Sequence, residues 1–144
     1  MTSRPTKPRT PVVRRATSQR SANNAAAVIK ALTQEAFECG LDNIAASSIA
    51  KRAGLTTGAI YSRYENSDEM LIALWQQVVA HELRALIAET VEAVTTRSTT
   101  GVPSDLVARL EKPSRILGLG VEFVVMAQRN EVVGEVVIAE VSKW

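Results

Sequence analysis

The stretch AKRAGLTTGAIYSRYENSDEML, residues 50–71, decides how the chain is read. Ala53 and Gly54 close one short helix, a brief turn follows, and another helix starts at once. Glycine ends a helix well because the left-handed conformation costs it nothing. Leu55 is the expected apolar plug of the turn, and Thr56 or Thr57 caps the helix that follows, to about Tyr64. That helix presents Thr57, Gly58, Ala59, Tyr61, Ser62 and Arg63, a row of small, polar and basic side chains. A helix made only for packing carries a broader apolar stripe. This one is suited to lie against something polar.

Upstream, Ala25, Val28, Ile29, Leu32, Ala36 and Phe37 recur every three or four residues, which predicts a helix over 19–39 stopped by Gly40. Asn43 is the expected cap of a short second helix, residues 44–53, with Ile44, Ile49, Ala50 and Ala53 facing inward. Two helices, a short turn and a third, polar helix make the sequence form of a helix-turn-helix. The major groove of DNA admits one helix, and small residues near its start let the backbone approach bases and phosphates.

Downstream, Ser67 is the expected cap of a long helix with Asp68 and Glu69 in its first turn, favourable to the helix dipole. Its apolar stripe runs from Met70 and Leu71 through Trp75, Val79 and Leu83 to Ile87, Val91 and Val94, ending near Thr96. Pro103 and Pro113 bracket a short helix, and residues 116–127 form the next apolar stretch. The last segment, EVVGEVVIAEVSKW, is rich in β-branched residues that favour a strand. Helix is the better reading, with Val132, Val133, Val136, Val137 and Val141 inward, because no other segment offers a partner strand.

The bulk numbers agree with a helical chain of 144 residues: 46% apolar, 4% aromatic and no apolar run long enough to span a membrane. The N-terminus lacks the apolar core of a secretory signal, and a single cysteine, Cys39, fits a reducing cytosol. The net charge of +2 hides an asymmetry: residues 1–64 carry ten Lys/Arg against three Asp/Glu, residues 65–144 seven against twelve. A basic first half points to a polyanionic partner for that half alone. Residues 1–18 contain Pro5, Pro8 and Pro11, five basic residues and no acid, which predicts a disordered arm, either a counterion-releasing contact with nucleic acid or a plain tail.

Ile49, Ala50, Ala53, Gly54, Gly58, Ile60, Tyr61 and Leu71, with Leu55, Thr56 and Tyr64 as close substitutes, resemble the signature of the TetR (tetracycline-repressor-like) family of bacterial transcription regulators. The resemblance covers residues 25–74. It implies an all-α protein with a disordered basic arm (1–18), a three-helix helix-turn-helix DNA-binding domain (19–66) and an incomplete helical-bundle effector domain (67–144). It makes the third helix the recognition helix. Thr56, Thr57, Ala59 and Ser62 would then face bases or phosphates, Gly58 would permit close approach, and Tyr61 and Arg63 would reach the backbone or a base edge. The plainer alternatives are a core or turn-packing ring for Tyr61 and a solvated surface cation for Arg63. Arg14, Arg15 and Arg20 would supply phosphate contacts.

The resemblance further implies a cytoplasmic, nucleoid-associated repressor that binds a palindromic operator as a homodimer and is released by a small apolar effector. Trp75, Phe123 and Met126 are the candidate effector-pocket residues, or equally plain bundle core. Three features depart from the family. Its usual threonine near the start of the second helix is Ile44 here, which moves the cap to Asn43 or Ser47. The family's lysine at the start of the fourth helix, a phosphate contact, is Asp68 here, an anion where a cation is expected. The family's two late dimer helices also lie beyond Trp144, which leaves the apolar stripes of the last segments exposed. The rival reading is a non-enzymatic interaction protein, or a binder of nucleic acid without sequence choice.

Other chemistry finds little support. His81 has no second His or Cys at ligand spacing, Cys39 reads as a buried thiol, and Gly118-Leu119-Gly120 is a GxG without a preceding strand. No metal, cofactor or catalytic constellation is expected.

Overall fold

The computed structural model describes residues 12–96 and 115–144, and every described element is helical. Helix α1 spans Val12–Cys39, α2 Ala46–Ala53 and α3 Thr57–Tyr61. A long helix, α4, runs as Ser67–Leu74, a π-helical turn Trp75–Val79, and Ala80–Thr96. Helices α5, Arg115–Ala127, and α6, Glu131–Val141, complete the described chain. Of the arm expected over 1–18, residues 1–11 lie outside the described residues, as does the short helix between Pro103 and Pro113. From Val12 onward the chain is helical, so α1 begins seven residues before the expected Gln19.

The helix ends show where local chemistry acts. Gly40 and Gly54 stop α1 and α2 at φ 78° and 67°, a region other residues avoid. After α2, the Leu55 N–H donates to the Ala50 carbonyl at 2.9 Å and Gly54 N–H to Lys51, the paired closure of a Schellman motif. Asn43 does not cap α2. It sits in a 3-10 turn, Leu41–Asn43, and its Nδ2 donates to the Cys39 carbonyl at 2.8 Å, satisfying the end of α1 instead. At α4 the cap is Asn66, not Ser67: its Oδ1 accepts from Glu69 N–H at 3.0 Å, while the Glu69 carboxylate accepts from Glu65 N–H at 2.8 Å.

One continuous apolar cluster joins the six described helices, from Val28 and Leu32 of α1 through Ile49, Ile60, Leu74 and Trp75 to Phe123 and Val133. The expected stripe of α4 holds only through Leu83: Ile87 and Val91 face outward. Val94 falls among the side chains that are not described. In α6, Val133 and Val137 are buried but Val132 and Val141 are exposed. Leu117, Val121 and Val124, at helical spacing on α5, are exposed as well.

Ion pairs tie α1 to α2. Glu35, 3% exposed, accepts from Arg52 Nε at 2.7 Å, and the same guanidinium donates twice to Glu38. Those bonds raise the Arg52 pKa and hold the Glu38 carboxyl below its ordinary value of 4.5. Hydrogen bonds from Lys143 and Arg84 lower Glu140 likewise. Because both carboxyls titrate lower in the folded chain than in the unfolded one, the unfolded state binds more protons as the pH drops. Their stabilisation is therefore complete above pH 4.5 and is lost as the pH falls through their lowered values. Melting curves recorded across that window should show stability rising with pH, and the slope should shrink when Glu38 and Glu140 are both changed to Gln.

Candidate nucleic-acid interface

Helix α3 is short, and its geometry is set by its cap. The Thr56 hydroxyl accepts from Ala59 N–H at 3.2 Å, and Ser62 Oγ closes the other end by donating to the Ala59 carbonyl at 2.9 Å. Thr56, not Thr57, is therefore the cap. Only one side of the helix is anchored. Ile60 is fully buried and Tyr64 8% exposed, and burial pushes the Tyr64 phenol pKa up. Thr56, Thr57, Gly58, Tyr61, Ser62 and Arg63 are exposed, and Ala59 is half-buried. Tyr61, at 56% exposure, is no turn-packing ring.

Between α1 and α3 lies an open groove of about 440 Å³, lined by Arg20, Ser21, Asn24, Ala59, Ser62 and Arg63 among others. The structure thus brings Arg20 to Ala59 of α3 and to Ser62 and Arg63 just after it. Thr57 and Tyr61 do not line this groove. Arg63 Nη2 reaches across to donate to the Ser21 carbonyl at 3.4 Å, which leaves most of its donors for another acceptor. Arg14 and Arg15 belong to α1 rather than to a free arm, which sets Arg14 about 9 Å along the helix axis from Arg20. Ser21 and Asn24 were not among the expected residues. Their signal was present: with Arg20 they occupy positions 20, 21 and 24, one face of α1.

The candidate effector residues are core. Trp75, Phe123 and Met126 are 1%, 0% and 4% exposed, and the Trp75 and Phe123 rings lie 5.2 Å apart, tilted by 57°. Trp144 stacks on Trp75 at 6.3 Å, with the Arg84 guanidinium 5.6 Å from the Trp144 ring. The buried Trp75 Nε1–H has no hydrogen-bond partner among the described residues.

The remaining reactive side chains are ordinary. Cys39 is exposed, not buried as expected, because it sits at the open end of α1. His81 is exposed, 3.9 Å from Glu82. Among the described residues no three His, Cys, Asp or Glu form a metal-binding group, and no helix is long and apolar enough to cross a membrane. Compared with family models, curated proteins and solved structures, the chain matches none.

Proposed function

We propose that the chain is a DNA-reading transcription regulator of the TetR type, a repressor whose α2 and α3 form a helix-turn-helix with α3 as the recognition helix. The observation that carries this reading is the one-sided anchoring of α3. Ile60 and Tyr64 pin it to the core while Thr57, Gly58, Tyr61, Ser62 and Arg63 are exposed, the last two lining the groove that holds Arg20. A helix offered in this way, with small residues first, suits entry into the major groove. Arg20 then serves a phosphate, and the basic first half of the chain supplies the long-range attraction. Release by a small apolar effector belongs to the same reading.

The test is selection of bound duplexes from a random pool by the 144-residue chain at physiological salt. An enriched palindrome supports a dimeric regulator, and a single half-site supports a reader acting alone. Binding without enrichment that vanishes steeply as salt rises would sink sequence reading and leave a non-specific nucleic-acid binder.

The residue assignments predict separable effects. Tyr61→Ala should leave the melting curve nearly unchanged, because the ring is exposed, yet weaken the selected duplex by about tenfold. Arg20→Ala should weaken all duplexes evenly and reduce the salt slope by about one counterion. Binding isotherms at several salt concentrations measure both.

A further inference from the structure

The segment that holds α2 and α3 is attached at both ends to a single corner, residues 128–130, or to the helix leading into it. Ahead of α2, Asp42 in the 3-10 turn accepts from Arg129 Nη2 at 2.6 Å, and Leu41 N–H donates to the Glu122 carboxylate of α5 at 3.3 Å. Behind α3, Asp68 in the first turn of α4 accepts from Asn130 Nδ2 at 2.8 Å. The Asn130 Oδ1 meanwhile accepts from Val133 N–H at 3.0 Å and caps α6. Both ends of that one amide are therefore in use, one fixing it to α6 and the other reaching α4.

The two attachments are not equal. Arg129 and Asp42 are both well exposed, and such pairs contribute little alone. The Asn130–Asp68 bond also ends on a carboxylate but is half-buried, so water competes with it less and it is the stronger of the two. The corner itself is stiff, since Gly134 of α6 lies against the Ala127 backbone of α5.

We infer that Asn130, acting through Asp68, is a positioning residue that holds α2 and α3 at a set angle to the α5–α6 pair, so that a displacement of that pair is passed to α3. The consequence for DNA rests on the function proposed above; the tie itself does not. Asp68 has a second role that needs no partner, since an anion in the first turn favours the α4 dipole. That role is indifferent to residue 130, which separates the two accounts.

Asn130→Asp keeps an acceptor suited to capping α6 but removes the donor and sets one carboxylate against another. In the full chain, hydrogen exchange should become several-fold faster in α3 and the first turn of α4, while α6 is unchanged. Affinity for the duplex selected by the wild-type chain should fall about tenfold. Adding Asp68→Asn restores a donor with the bond reversed, and should recover both readouts. Should N130D not fold, Asn130→Ser retains the cap, cannot donate as far as Asp68, and carries the same expectations. Wild-type exchange in α3 of the single variant, or a double variant no better than the single, would overturn the tie. If the wild-type chain selects no duplex, the DNA-reading proposal falls, and the exchange comparison alone decides whether the tie exists.

Discussion

Phe123→Ala is expected to lower the stability of the chain by about 3–5 kcal/mol, read as a shift of the urea midpoint at constant slope. Phe123 is fully buried in α5 and faces Trp75, the first residue of the π-helical turn in α4. Removing the ring withdraws its apolar area from the core and leaves a cavity that rigid helices close only in part. The loss is a large share of the about 5–15 kcal/mol that holds an ordinary domain folded. A contrasting variant sharpens the test. Trp75→Phe also reduces volume, but it deletes an indole N–H that is buried without a partner, so one desolvation penalty disappears with it. It should cost clearly less than Phe123→Ala. Equal losses would mean that the Trp75 N–H is satisfied in solution.

Gly134→Ala should destabilise by about 1–3 kcal/mol, although alanine is the better helix former by about 1 kcal/mol. A Cβ at Gly134 would stand 2.5 Å from the Ala127 carbonyl oxygen and 3.3 Å from that residue's Cα. Backbone cannot step aside as a side chain can, so α5 and α6 must separate. Gly120→Ala is the control. Its Cβ would meet Leu83 Cδ1 at 2.7 Å, the far end of a flexible side chain that can rotate away. The two substitutions, identical in composition, should therefore differ in sign or by more than about 1 kcal/mol. Matching midpoints in a denaturant series would show that the α5–α6 corner is looser than its geometry implies.

The helical character of the chain was legible because apolar spacing is a strong signal over long segments. The stripe of α1 and the glycine stops at 40 and 54 stand where the spacing put them. The last segment folds as a helix despite its valines, which shows local β preference yielding to the surroundings. The caps were less legible. Asn43 and Ser67 are good capping residues by type, but whether a side chain caps depends on where the preceding backbone leaves it, and Asn43 found the Cys39 carbonyl first. Ile87 and Val91 kept the right period and still face outward, because periodicity identifies a face without saying what covers it. In the candidate site, the α3 residues form a contiguous run and were readable together. Ser21 and Asn24 stand more than thirty residues from α3 in the chain and become neighbours only through packing. Asp68 looked like a misplaced anion until Asn130, 62 positions later, came into contact with it.

The π-helical turn at Trp75–Val79 has a consequence for the length of α4. Leu71, Trp75, Val79 and Leu83 follow one another at intervals of four, and all turn toward the core. In an ideal α-helix each such interval overshoots a turn by about 40°, so three in succession would carry the row about 120° around the barrel. The wider turn takes up that drift, acting as an added beat that keeps the two halves of the helix in phase. In effect α4 carries one surplus residue, lodged where it does least harm. A single-residue deletion inside the turn would let it relax to ordinary α geometry with both flanking faces still aligned. The same deletion a turn earlier or later would twist one half of the molecule against the other.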